Sequence, residues 1–287
     1  MQDESFLYQL QMIFIKGVEK YMQIKYFAWL LVILLSSCNK GPNLAQVCQD
    51  NPEICAKITE DNHCRRERNN TILTDVTLKQ THADSQKYQL LIAYEKYKAC
   101  MGLASQIEHI KLKEKKTNRV QNYLRVQALI SNLADQTKNS ENPLLLYYHW
   151  TRFLDNDALA KFLKLEGTKA LENPESQLHL ATYYAKKDPN KTIKLLFHAL
   201  ELYQPDAHIN PEIFHTLTTI YADKQQYKQA YIWLMILKLY APDDPALKDK
   251  TIENYIDRKQ LDIKFLNKVA KATLTKIANG KFKAPLS

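Results

Sequence analysis

Gln177–Tyr184 reads QLHLATYY and Phe214–Tyr221 reads FHTLTTIY, and the two octets together decide the fold. Leu180, Ala181 and Tyr184 of the first precede Leu217, Thr218 and Tyr221 of the second by 37 residues. The same interval separates Phe197 from Leu234, Leu200 from Leu237 and Pro205 from Pro242. Spacings of three and four put the apolar members of each octet on one helical face. A second apolar-faced stretch follows in each copy and ends at a proline, which cannot continue a helix. Each copy therefore predicts a helix pair, and the clearest copies span 175–205 and 212–242.

The order of residues resembles the tetratricopeptide repeat, whose period is 34 residues. A leucine, a small residue and a tyrosine on the first helix face a small residue and a large apolar one on the second. That lets the pair close tightly. Tyr227 and Ala230 open the second helix of the later copy in the expected way. Departures are Thr218 where Gly or Ala is usual and Ile193 at the small position of the earlier copy. The three additional residues fall in the connector Pro205 to Pro211. Two copies are too few for a stable solenoid, so helix pairs at 143–173 and 245–278 are expected to complete the core. The expected fold class is all-α, with antiparallel helix pairs forming a short tetratricopeptide-like α-solenoid. The resemblance implies a concave groove lined by first helices, at Leu178, Thr182 and Lys186 and again at His215, Thr219 and Asp223. A peptide or partner helix is the ligand such a surface implies.

Composition agrees with helices. Only 5 glycines occur in 287 residues, and neither a dinucleotide fingerprint nor a phosphate-binding loop is present. The helical body is expected over 84–287. Asp84 or Ser85 caps its first helix, and Gly102 marks a kink or an end. A second periodic segment runs from Ile107 to about Leu133. Asn142-Pro143 starts an aromatic helix. Asp157 is placed to cap the next, ALAKFLKLEGTKALEN, which closes at Asn173-Pro174.

Upstream, Met22–Cys38 reads MQIKYFAWLLVILLSSC. Lys25 supplies a positive start and Tyr26 to Leu35 an apolar run too short for a membrane-spanning helix. Leu35-Ser36-Ser37-Cys38 resembles a lipobox, which implies lipidation at Cys38 after cleavage of a 22–37 signal peptide. Asn39, and not Asp, follows the cysteine, which implies the outer membrane, with the body facing the periplasm. Residues 1–21 carry Asp3, Glu4 and Glu19, which an export signal avoids. They are read as an over-called start or as an amphipathic leader with Phe6, Leu7, Leu10, Ile13 and Phe14 on one face.

Residues 38–83 hold most of the remaining cysteines. Cys48, Cys55, Cys64 and Cys100 are even in number, as an oxidising compartment favours. Four cysteines allow three connectivities, and the expected one is Cys48–Cys55 with Cys64–Cys100. The first pair would staple a turn around Asn51-Pro52, and the second would pin the N-terminal region to the first long helix. The cysteine separations do not suit zinc, so no metal site is expected. The stretches CMGLASQIEHIKLKEKKTNRVQNYL, LLYYHW, QLHLATYY and YKQAYIWL resemble an uncharacterised family of proteobacterial lipoproteins, a domain of unknown function. The likeness implies the localisation and the fold and carries no activity.

The net charge of +9 lies wholly in the mature part, since residues 1–37 hold three bases and three acids. His109 to Arg125 has six bases against Glu114 alone, and Lys248 to Lys283 ten bases against four acids. Nucleic acid is not a partner for an exported protein. Anionic lipid or peptidoglycan is, and the basic strip Lys111, Lys113, Lys115, Lys116 and Arg119 is the candidate surface. Otherwise these charges form a solvated helix face. None of the eight histidines stands in a metal-binding spacing, and His149, His179 and His198 read as core or boundary residues. There is no G-x-S-x-G elbow. Glu175-Ser176 matches the glutamate–serine pair of lytic transglycosylases. It also stands at a helix start, where the dipole favours glutamate. The expectation is a lipid-anchored interaction scaffold that binds an envelope protein or peptide, without catalysis or cofactor. The alternative is a wall-binding protein or an activator of a peptidoglycan enzyme.

Overall fold

A computed structural model describes residues 43–108, 113–245, 247 and 261–285. Among them the secondary structure is entirely helical, as expected. The chain divides into two compact units at Lys57/Ile58. In the first unit, α1 (Leu44–Asp50) is capped by Asn43, whose side chain accepts from the Ala45 N–H, and α2 is the turn Pro52–Cys55. Cys48–Cys55 joins these two helices around Asn51-Pro52, as expected.

The second unit carries α3 (Arg65–Thr81), α4 (Asp84–Ala104), α5 (Lys113–Thr137), α6 (Pro143–Phe153) and α7 (Asn156–Lys164). The repeats supply α8 (Pro174–Tyr184), α9 (Pro189–Leu202), α10 (Glu212–Asp223) and α11 (Tyr227–Tyr240), and α12 (Ile263–Ala278) packs on α11. Local sequence sets the starts. Asn142, Asp155, Asn173 and Asp188 each accept a first-turn N–H through the side chain. Pro143, Pro174 and Pro189 fill first positions that have no partner for an N–H.

Neighbours in sequence pack as antiparallel pairs, giving a solenoid-like row of helices. Cys64–Cys100 pins the start of α3 to α4, as expected. Ile72, Leu91, Tyr97 and Met101 fill the space between α3, α4 and α5. The largest core joins Leu178, Leu196 and Leu200 of the first repeat to Phe214, Leu217, Trp233 and Leu237 of the second. Ile277 and Phe282 of the C-terminal segment close it. Leu180 and Tyr184 turn the other way, onto Leu146, Phe162 and Leu171. The first repeat is thus wedged between two cores.

Several boundaries differ from expectation. Helical structure begins well before residue 84, because α3 already packs along α4. Asp84 lies in the first turn of α4 after the cap residue Ala83, and there it accepts from Ser140 and Lys87. Gly102 lies inside α4, where a Cβ would stand 3.4 Å from the Tyr123 ring, so the residue marks close helix packing. Ile107 precedes α5. Asp155, and not Asp157, caps α7, which stops at Lys164. The chain then reverses through Gly167 at φ +76° into a short 3-10 turn, Lys169–Leu171. Gly167 needs that left-handed conformation, which a helix running to Asn173 would not.

Candidate binding pocket

The connector between the repeats, where the three additional residues were expected, forms one wall of a cavity of about 620 Å³. Tyr203, His208, Asn210 and Pro211 come from that connector. Asn173, Pro174 and Glu175 come from the start of α8, and Gln89 and Lys96 from α4. The connector is tied down from three sides. The Asn210 N–H donates to the Tyr203 hydroxyl at 3.1 Å, and the Ile209 N–H to the Tyr240 hydroxyl at 2.8 Å. The Asp206 N–H reaches back to the Ala278 carbonyl at 2.9 Å. Gly280, at φ +62°, lets the C-terminal segment approach, since a Cβ there would meet Pro205 Cδ at 3.0 Å. The wall is therefore preorganised by packing and hydrogen bonds.

Glu175 is the one carboxylate lining this cavity. It is half-buried and reaches toward α4, where Gln89 Nε2 donates to its Oε2 at 3.2 Å and the Tyr88 side chain stands close by. Burial pushes its pKa above the usual carboxylate range, although the neighbouring Tyr88 hydroxyl, the Gln89 bond and the positive charge of Lys96 act the other way. Behind Tyr88 stands His179, with Nε2 at 3.3 Å from the Tyr88 oxygen and the ring stacked on Tyr147 at 3.7 Å. Burial, helped by the charge of Arg152, drives the His179 pKa down to about 3, so the ring is neutral. Its Nδ1 is buried without a hydrogen-bond partner. A bare acceptor costs less than a bare donor, which places the single proton on Nε2. His179 then donates to the Tyr88 hydroxyl, on the side of the cavity where Gln89 holds Glu175.

A model of the family described as "Protein of unknown function (DUF2989)" matches residues 35–235. The chain belongs to that family. No curated protein and no solved structure matches it. The family match covers every residue lining the cavity.

The expected groove residues of this family member separate into two groups. Thr182 on α8, Lys186 in the turn after it, and Thr219 and Asp223 on α10 are exposed. His215 is half-buried, with Nε2 at 2.9 Å from Asp244 Oδ2. Leu178 corrects the expectation, because it is 4% exposed and packs in the main core. Its apolar side chain is worth more there than on a wet surface.

The basic strip also needs correction. Arg119 is inside the protein, with its Nε at 2.8 Å from Asp61 Oδ2 and Nη1 at 2.9 Å from the Ala104 carbonyl. Lys116 pairs with Glu108, and Lys115 is exposed. Lys111 and the Lys113 side chain lie outside the described residues, as do Cys38 and residues 1–37. No candidate metal cluster occurs among the described residues, and no described helix is long and apolar enough to cross a membrane.

His149 and His179 are core histidines and His198 is a half-buried boundary one, as expected, with its Nε2 at 2.9 Å from Glu172 Oε2. Sequence reasoning reached Glu175 only through its serine neighbour, and Ser176 is buried and is not among the cavity residues. It missed Tyr88, Gln89 and Lys96 as partners of Glu175. Their one sequence signal was the interval of seven to eight residues, two helical turns, that puts Lys96 on the same face as Tyr88 and Gln89.

Proposed function

We propose that the protein is a lipid-anchored envelope protein, attached to the outer membrane at Cys38 and facing the periplasm, whose paired-helix body is a non-catalytic interaction module. One observation carries the compartment: Cys48–Cys55 and Cys64–Cys100 pair all four cysteines beyond Cys38. Disulfides of this kind persist in oxidising compartments and are rare in reducing ones. The fifth cysteine is then the odd one, and it is the one in the lipobox-like stretch. The module reading is supported by exposed polar side chains at matching places in the two repeats, Thr182 on α8 with Thr219 on α10, and Lys186 in the turn after α8 with Asp223 at the end of α10. Wall binding through the basic strip has less support, because Arg119 is committed to Asp61 inside the fold.

The anchor is tested with Cys38→Ser. Labelled palmitate incorporation should vanish and the protein should move to the soluble fraction. Continued labelling in the membrane fraction rejects the anchor. Crosslinking in envelope fractions tests the module. A defined partner should be recovered by the parent chain and lost with Lys186→Glu plus Asp223→Lys, while neutralising Lys115 and Lys116 leaves recovery intact. The opposite pattern favours the basic strip.

A further inference from the structure

The cavity beside Glu175 combines features that a mere gap between helices lacks. Its volume of about 620 Å³ is that of a small-molecule site. Its polar groups come from three separate segments, and the connector wall is fixed by the Tyr203 and Tyr240 hydroxyls. Glu175 is the one acid among the lining residues, and one neutral donor, Gln89, supports its carboxylate from the protein side. Lys96 is near enough to influence Glu175 electrostatically, yet no ion pair joins the two. The carboxylate is therefore held facing a polar cavity without a cationic partner in contact with it. A half-buried carboxylate without such a partner gains most from a ligand that brings a cation and hydrogen-bond donors.

We propose that this cavity binds a ligand through its ammonium group, which Glu175 accepts, with the Asn210 side chain, whose Oδ1 already accepts from the Glu212 N–H, offering its Nδ2 to the polar body of the ligand. The inference deepens the interaction-module reading by giving the module a chemical specificity. The shared chemistry is an ammonium beside amide or hydroxyl groups. A peptide amino terminus and an amino sugar both present it. Lys96 stands on the exposed side of α4 and repels a cation, so it limits affinity and does not create it.

Titration calorimetry on the full chain from Cys38 onward decides the matter, using tri-alanine amide, N-acetyl-tri-alanine and glucosamine as probes. At least one ammonium probe should bind with a Kd of about 1 mM or tighter, and the acetylated peptide should not. Preference for tri-alanine amide identifies a peptide terminus, and preference for glucosamine an amino sugar. Glu175→Gln, which keeps the shape and the hydrogen bond to Gln89, should weaken binding about tenfold. Lys96→Met should tighten it by about two- to threefold, the opposite direction at a solvent-facing position that the fold does not depend on.

The proposal is overturned if no ammonium probe binds. It is also overturned if N-acetyl-tri-alanine binds as well as the amide, or if Glu175→Gln leaves the affinity unchanged. Fractionation of Cys38→Ser and the crosslinking pattern at Lys186 and Asp223 do not involve Glu175. Failure of the pocket is therefore distinguishable from failure of the module.

Discussion

Helices α8 and α10 carry the same signature and bury opposite kinds of residue. Taken in register, Ser176, Gln177 and His179 of α8 correspond to Ile213, Phe214 and Thr216 of α10. The three α8 residues are all buried, and Ser176 Oγ, Gln177 Oε1 and His179 Nδ1 have no hydrogen-bond partner. In α10, Ile213 and Phe214 are fully buried in apolar surroundings, and Phe214 stacks on Trp233 with its edge toward Tyr240. The shared leucine, small residue and tyrosine close each helix pair. What distinguishes the copies is the neighbour on the other side. For α8 that is a polar seam with Tyr88 and Gln89 of α4, and for α10 it is core. Buried polar atoms without partners cost stability, so their presence at one repeat and not the other marks where the fold gives up packing.

The largest expected effect follows from that contrast. Phe214→Ala empties a fully buried ring site and should destabilise the protein by about 3–5 kcal/mol. Gln177→Ala, at the matching position, removes the bond from its Nε2 to the Leu171 carbonyl and should cost about 1–3 kcal/mol. Urea unfolding of the two variants against the parent measures both. Equal losses would mean that α8 and α10 are packed alike and that the contrast is superficial.

Much of this fold was legible in the sequence because its determinants are local. Asn142-Pro143, Asn173-Pro174 and Asp188-Pro189 each place a cap and a first-turn proline together, and three helices start there. The 37-residue interval located both helix pairs, and the even count of cysteines beyond Cys38 pointed to two disulfides, whose pairing follows the short loop around Asn51-Pro52. What was not legible depends on tertiary neighbours. Leu178 has helical spacing compatible with either a groove or the core, and only the approach of α10 decides it. Arg119 reads as one more base in a basic run until Asp61, distant in sequence, folds over it. Glu175 reads as a dipole-favoured helix start, and its place in the cavity is set by α4, more than 80 residues earlier.

A mid-sized effect should appear with acid. His179 is held neutral by burial with a pKa of about 3 in the folded state, against an ordinary value of 6.5. Below pH 6.5 the unfolded chain takes up a proton that the folded chain refuses, so stability falls as pH falls toward 3. One such histidine contributes a slope of about 1.4 kcal/mol per pH unit, or about 2 kcal/mol by pH 5. His179→Phe should lack this slope, and the difference between the two unfolding curves at pH 7 and pH 5 isolates it. Glu175 acts with opposite sign. Its raised pKa makes the folded state hold a proton more tightly, so its contribution is present at low pH and lost as pH rises from 4.5 through the folded value. Thr216→Val at the matching position of α10 has nothing to titrate and should leave the slope unchanged.

The smallest effect is also the most discriminating, because the two copies should differ in sign. Glu212 occupies in α10 the place Glu175 has in α8, but it is exposed and accepts one long bond from the Thr216 hydroxyl at 3.4 Å. Glu212→Gln should lose only the favourable meeting of an acid with a helix N-terminus, a few tenths of a kcal/mol at neutral pH. Glu175→Gln loses the same dipole term, but it also removes a charge that burial disfavours, and it keeps an amide acceptor for Gln89. At pH 7 it should therefore raise stability where Glu212→Gln lowers it. Thermal unfolding of the two variants side by side checks this. If both lower stability by the same small amount, Glu175 is an ordinary helix-start acid and its cavity is no different from open surface.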